Sequence, residues 1–373
     1  MQLSESARAV FAVLAAAGTA TRPQLAAVAG LSKPTVSSAV AELEAAELAA
    51  CSGTVSGATG RSAAVYGLGP AAGAVLAVDL GPAVTRVRGC ALDGGLLAEG
   101  TGSRPEAADV VRQVLKELPT GAPLRAVVVA VGDVVTQDPE GTGARPATAK
   151  AGPAFDAMAV ALPPGVPVHL ENNVNCAALA ELHEGAARGR HSFGYLRIGV
   201  GIGLGIVIGG QVLRGANGAA GEVARLPYPW DEGLEPRREA LEAHIGVRSL
   251  LHRAEEAWQD ADDPCPPAAE RLFALAEEGH AAARAVVAHH SAEVGRLAAA
   301  VAAVLDPGLI VLGGATGTDP QLLPGVRAEL DRLSWPTEVV SSTVGETGTV
   351  AGASRLAVAH GIQTVTSGTS VKH

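Results

Sequence analysis

Past a Gly69-Pro70 break, short apolar runs alternate with longer helical ones, and this alternation restricts the fold more than any other feature of the chain. Strands are expected at Val75–Leu80, Thr85–Leu92, Arg125–Val131, Tyr195–Gly199, Gly205–Ile208 and Leu309–Leu312. Helices fit Glu106–Leu118, Val174–Ala187, Arg284–Leu305, Gln321–Leu333 and Ser354–Gly361. Strands and helices in turn build α/β layers. Glycine-rich turns after strands, near Gly81 and Gly201, suggest two similar lobes with a cleft between them. A chain of 373 residues is too long for one ordinary core, so two or three domains are expected.

Apolar residues make up 48% and charged residues 18%, which excludes a disordered chain. Cys51, Cys90, Cys176 and Cys265 stand far apart with no C-x-x-C pair. That spacing argues against a disulfide framework or a Cys-rich zinc site, and a reducing cytoplasm is the expected home. No run of eighteen apolar residues occurs, and no basic segment precedes an apolar one at the start, so neither a membrane span nor a signal peptide is expected.

The first seventy residues have a different pattern. Helices are expected over Ser6–Ala17, ended by Gly18, and over Pro23–Ala29, capped by Thr21. Gly30 gives a turn, and Ser32 caps a third helix with Pro34 in its first turn. Ala26, Gly30, Leu31, Val36 and Val40 meet the demands of a helix–turn–helix: small residues at the crossing, glycine in the turn and apolar residues inside. Leu48–Cys51 and Val65–Leu68 read as short strands around a tip, Ser52 to Ser62, the outline of a wing. Ser32, Lys33, Thr35, Ser37 and Ser38 would enter a major groove, Arg61 on the wing would reach a minor groove or phosphate, and Arg22 is counted with them. The charge balance opposes this reading. The whole chain carries −10, and in residues 1–70 the four cations Arg8, Arg22, Lys33 and Arg61 are matched by Glu5, Glu42, Glu44 and Glu47. A basic footprint on DNA must therefore be local. The other reading of these residues is a small helical dimerisation module.

Two stretches carry a family resemblance. Thr21-Arg22-Pro23-Gln24-Leu25-Ala26, Gly30-Leu31-Ser32-Lys33-Pro34-Thr35-Val36-Ser37, Val40-Ala41-Glu42-Leu43 and Gly60-Arg61-Ser62 resemble the N-terminal domain of ROK-family repressors, whose wing usually reads G-R-P. Glu171-Asn172-Asn173-Val174-Asn175-Cys176-Ala177-Ala178-Leu179-Ala180-Glu181 resembles the family's E-N-D-A-N-A-A-A-L-x-E segment. The resemblance runs from about residue 6 to residue 362. It implies an actin-like (ribonuclease-H-like) sugar kinase fold of two α/β lobes behind a winged helix–turn–helix. The expected domains are 1–69 for the winged module, 70–180 and 181–363 for the lobes, with a C-terminal helix returning toward the first, and 364–373 as a frayed tail.

In the family's kinases the aspartate of that segment takes the proton from the sugar hydroxyl that attacks ATP. Here it is Asn173, and an amide cannot accept that proton near neutral pH. The first phosphate turn, D-x-G-G-T in the kinases, reads Asp79-Leu80-Gly81-Pro82-Ala83. Pro82 has no N–H for a phosphate and Ala83 no hydroxyl, which leaves an ordinary hairpin turn as the favoured reading. Gly199-Val200-Gly201-Ile202-Gly203-Leu204-Gly205 resembles the second phosphate segment, and equally suits close strand packing. Leu309-Ile310-Val311-Leu312-Gly313-Gly314 resembles the adenosine-side strand, or is a buried strand and turn. No catalytic residue is therefore expected.

The resemblance places sugar contacts at Asn172, Asn173, Glu222, Arg225 and Glu242, with Arg225 where the family has histidine. These groups suit polyol hydroxyls or an anionic ligand; alternatively they form a polar network with no ligand. The family's zinc cluster should lie in Trp230 to Glu242, where no cysteine occurs; His244 is expected to be an ordinary surface histidine, and no zinc or other cofactor is expected. The leading expectation is a regulator, most simply a repressor, that binds a double-stranded DNA operator as a homodimer or dimer of dimers, with a sugar-like effector. The alternatives are an ATP-dependent sugar kinase with an accessory domain and a sugar-sensing scaffold that binds no DNA.

Overall fold

The computed structural model describes residues 3–56, 62–136, 145–146, 152–226, 239–258 and 264–367. The chain divides into two compact units: Met1–Asp133 with Asp138–Glu171 and Ala353–His373, and Val134–Gln137 with Asn172–Gly352. The sequence reading drew the boundary between lobes at residue 180.

The first unit begins with three helices, α1 (Glu5–Ala17), α2 (Arg22–Ala29) and α3 (Lys33–Ala45), and strands β1 (Thr19–Thr21), β2 (Ala49–Ser56) and β3 (Ser62–Leu68). Ser4 caps α1 by accepting from the Ala7 amide at 3.2 Å, and its own hydroxyl donates to Glu42 at 2.6 Å, which ties α1 to α3. Thr21 and Gln24 form a capping box at α2, and Gly30 ends that helix in the left-handed region (φ 66°). Phe11, Leu14, Leu25, Val36, Val40 and Leu43 are fully buried, the apolar stripes of three helices meeting. The strands order β1-β3-β2, all antiparallel, with Ala20 opposite Tyr66 and Ala50 opposite Gly67. The hairpin strands extend into the segment expected to be its tip, whose residues 57–61 lie outside the described residues.

A second sheet follows, built from β4 (Ala74–Leu80), β5 (Val84–Ala91), β6 (Leu96–Ser103), β7 (Leu124–Val131) and β8 (Val168–Asn172), in the order β8-β7-β4-β5-β6. All seven residues of β4 are buried, which is why it reads as an apolar run broken only by Asp79; it pairs parallel with β7 and antiparallel with β5. Helix α4 (Ala107–Glu117) lies close on β5 and β6: a Cβ at Gly89 would meet Leu118 at 2.5 Å, and one at Gly100 or Gly102 would meet Val110 at 3.0 or 2.7 Å. Strand β6 was missed because most of its residues are exposed.

The second unit holds α6 (Asn173–His183), preceded in the chain by α5 (Gly152–Ala159) of the first, and a sheet of β9 (Phe193–Arg197), β10 (Gly203–Ile208), β11 (Gln211–Val212), β12 (Leu309–Gly313) and β13 (Glu338–Ser341). Its order is β11-β10-β9-β12-β13, with β9 parallel to β12 and antiparallel to β10. Side chains alternate between two cores. Tyr195, Val207 and Val311 pack with Val174, Ala177 and Ala178 of α6. Leu196, Ile310 and Leu312 pack with the helices α7 (Ala240–Ile245), α8 (Val247–Ala257), α9 (Ala269–Glu278), α10 (Ala281–Leu305) and α11 (Leu322–Leu333).

The helix boundaries that differ most from expectation are those of α6 and the last helix. Helix α6 stops at His183 rather than Ala187, because the buried Glu181 turns back and accepts the Ala186 amide at 2.7 Å. The last helix, α12 (Gly348–Thr366), is longer at both ends than Ser354–Gly361. The expected frayed tail therefore starts too early: Thr364 and Thr366 are helical, their hydroxyls donating to the His360 and Ile362 carbonyls at 3.0 and 2.9 Å.

Candidate ligand site and nucleic-acid interface

Strand β10 and the glycine turn before it organise the ligand-site candidates. A Cβ on Gly203 or Gly205 would lie 2.8 Å from Val174 or Ala178, so the bare glycines let the first turns of α6 rest on the strand. From the other side the Leu204 amide donates to the Gly221 carbonyl at 3.0 Å, and Gly221 (φ 85°) has no room for a side chain against Leu204. This brings Glu222 alongside. The Ile202 amide donates to Glu242 of α7 at 3.4 Å, and the Val247 amide to Gly199 at 3.1 Å. The starts of α6, the 220–225 loop and α7 are thus all fastened to residues 199–205.

Within this arrangement the individual roles differ from expectation. Asn172 is the N-cap of α6: its Oδ1 accepts from the Val174 amide at 2.8 Å and the Asn175 amide at 3.3 Å, so the carbonyl assigned to a sugar hydroxyl is committed to the helix. Asn173, the first helical residue, is buried at 7% exposure, and its side chain is an amide. Arg225 does not stand as a free cation, because its Nε lies 3.3 Å from Glu222, three residues back in the same 3-10 turn. Val200, in the glycine turn, is an apolar side chain left 67% exposed. In the first unit, Gly81-Pro82-Ala83 joins β4 to β5 as a hairpin with Leu80 opposite Thr85, and the Ala83 carbonyl accepts from the Arg104 amide at 2.8 Å.

His244 is not an idle surface residue. Its Nε2 lies 3.1 Å from Glu293, a carboxylate buried in α10 that also pairs with Arg296. The His244 hydrogen bond, outweighing burial, holds the Glu293 carboxyl below the usual range. No cysteine occurs between residues 230 and 242, and among the described residues no group of three or more His, Cys, Asp or Glu is placed to hold a metal ion. Residues 230–238 of that segment lie outside the described residues.

On the N-terminal module, Lys33, Ser37 and Ser38 are exposed along one face of α3. Ser32 and Thr35 are spent on each other: the Thr35 amide donates to Ser32 Oγ at 3.3 Å and the two hydroxyls share a 2.7 Å bond. Arg22 is also committed, its guanidinium 4.9 Å from the centre of the Tyr66 ring and 3.9 Å from Glu44, which braces α2 against the hairpin. Arg61 lies outside the described residues.

Two α/β units of five-stranded sheets and covering helices, with an amide at the head of α6, define a sugar-kinase-like class of protein. Residues 102–360, more than half of the chain, match the model of the ROK family, and the chain belongs to that family and carries its actin-like fold. A solved structure described as a ROK family transcriptional regulator, homologue of the E. coli MLC protein, superposes with a TM-score of 0.72 over 97% of this chain and 98% of its own, at 20% identity. The bifunctional enzyme NanE/NanK of Brucella melitensis is 31% identical over 198 residues, 52% of this chain and 36% of that enzyme. A putative xylose repressor of a Caldicellulosiruptor species is 40% identical over 70 residues, 19% of this chain and 18% of the repressor. The matched stretches cover well under two thirds of either relative. Among the described residues no helix is long and apolar enough to cross a membrane.

Proposed function

We propose that the chain is a ROK-type transcriptional regulator, a repressor, whose N-terminal module (1–69) is a winged helix–turn–helix that reads an inverted-repeat operator as a homodimer or dimer of dimers in the cytoplasm. The single observation that carries this reading is the N-terminal module itself. Three capped helices and a hairpin leave Lys33, Ser37 and Ser38 exposed on one helix face, at the position from which such a helix enters a major groove. The kinase-like units serve as an effector receptor without catalysis or zinc. Asn173 supplies no general base, worth about 10²–10⁴ in rate, and Pro82 and Ala83 remove an N–H and a hydroxyl from the first phosphate turn, on which phosphoryl transfer would depend. Asn173, Glu222 and Glu242 line the ligand site, for a neutral polyol of the sugar class. The test is selection of duplexes from a random-sequence pool by the full chain. Recovery of a symmetric site with steep salt dependence is expected; no enrichment at low salt would overturn the reading.

The kinases among the relatives support a second reading, an ATP-dependent sugar kinase with an accessory domain. A coupled ADP-release assay over a panel of hexoses decides between them: turnover on the order of 1 s⁻¹ establishes the kinase, and its absence the receptor.

A further inference from the structure

The link between the N-terminal module and the rest of the first unit is the five residues 69–73, held at Gly69, Ala71, Ala72 and Gly73. Glu47, held at positive φ (57°) after α3, accepts the Ala71 amide at 3.0 Å, and Leu48 accepts the Gly69 amide at 2.9 Å. Gly69 is packed so closely on the Glu47 carbonyl that a Cβ would overlap it, and Gly73 (φ 89°) is packed likewise on the Pro123 carbonyl, which accepts the Ala74 amide at 3.0 Å. Between these anchors stands Arg125 of β7. Its Nε donates to the Ala72 carbonyl at 3.0 Å and its Nη2 to the Ala71 carbonyl. Burial lowers the pKa of this guanidinium. A charged group with five donors is thus set against neutral main-chain oxygens of the linker. The single residue Ala71 joins the two parts, its N–H bound to the end of α3 and its C=O bound to Arg125.

Helix α12 supports this strap from behind. A Cβ on Gly361 would meet Leu92 and Val75 at 2.6 Å and the Arg125 Cβ at 3.5 Å. The preceding residue, His360, stacks on His169 of β8 with ring centroids 3.7 Å apart and planes 6° from parallel. His169 stands three residues before Asn172, where β8 gives way to α6. The chain of contacts therefore runs from His169 in β8 through α12 and Arg125 to Ala71 and to Glu47, just past α3.

We propose that Arg125 is a positioning residue that fixes the angle of the N-terminal module on the first unit, and that α12 transmits displacement of β8 to it. The regulatory meaning of this strap rests on the reading of the chain as a regulator; the strap itself does not, and its test uses neither DNA nor effector.

Spin labels are placed at Ser38→Cys on α3 and Lys116→Cys on α4, with Cys51 and Cys265 replaced by serine, and their distance distribution is measured in the full chain. Arg125→Met is expected to broaden the distribution at least twofold, with Arg125→Lys, which keeps the charge but not the fork, in between. Should Arg125→Met fail to fold, Arg125→Lys decides. A lowered melting temperature with an unchanged distribution would reduce Arg125 to a merely stabilising residue and overturn the proposal. Gly361→Ala, which touches neither linker nor module, is expected to broaden the distribution as well; an unchanged width there would overturn the role given to α12.

Discussion

Glu222 and Arg225 neutralise one another across 3.3 Å within a single 3-10 turn. With that guanidinium already paired, and Glu242 fastened nearby to the Ile202 amide, the surroundings of β10 favour uncharged ligands over anions. Neutral hexoses or N-acetylated amino sugars should therefore stabilise the purified chain against thermal unfolding, by about 2.7 kcal/mol at roughly 100 times Kd. Sugar phosphates at the same concentration should stabilise it little. A larger shift with the phosphates would reverse this assignment of ligand class.

Restoring the missing carboxylate should not restore a kinase. Asn173→Asp supplies a base, yet Pro82 still lacks an N–H and Ala83 a hydroxyl. Phosphoryl transfer depends mainly on positioning and charge stabilisation. The expected ADP release with MgATP and sugar stays at background for the variant as for the parent. Turnover on the order of 1 s⁻¹ from the single substitution would show that the two turns still hold nucleotide.

Neighbouring residues at the start of α3 should fail in different ways. Lys33→Ala removes an exposed cation and is expected to weaken duplex binding uniformly, lowering the slope of log affinity against log salt by about one. Ser32→Ala removes the helix cap, and should cost about 1 kcal/mol of stability. Titrating both variants against the same duplex at several salt concentrations separates them: the Ser32 variant should keep the parent's slope.

Acid should destabilise the second unit through His290. This ring is fully buried in α10, and burial pushes its pKa down to about 4, with Arg253 and His289 adding to the effect and Glu293 opposing it. Because the folded value lies below the ordinary 6.5, the unfolded chain takes up the proton first. Stability is then intact above about pH 6.5, and falls as pH drops toward 4 by an amount on the order of 3 kcal/mol. Melting temperatures measured across this window should fall less for His290→Gln than for the parent. Parallel curves would place the acid sensitivity elsewhere.

The legible parts of the fold were those whose local pattern matches their surroundings. Strands β4, β7 and β12 are buried along nearly their whole length and declare themselves as apolar runs. Ser32, Thr21 and Gly30 mark helix ends by the same chemistry in sequence and in structure. Strand β6 was illegible because its partner β5 and the overlying α4 hold it in place while much of its own surface stays in water. At the site, residue types were legible and commitments were not. That Asn172 caps a helix, that Arg22 lies over Tyr66, and that Arg125 reaches back 54 positions to Ala71 depend on partners brought together only by folding.

Asn172 is at once the last residue of β8 and the cap of α6, and its neighbour Asn173 begins the helix. Architecture and chemistry are therefore assigned to adjacent letters of the sequence. A substitution at 173 can erase a proton acceptor while the cap next to it keeps the helix in place. A fold arranged in this way can change the chemistry at position 173 in one mutational step while the neighbouring cap keeps α6 in place.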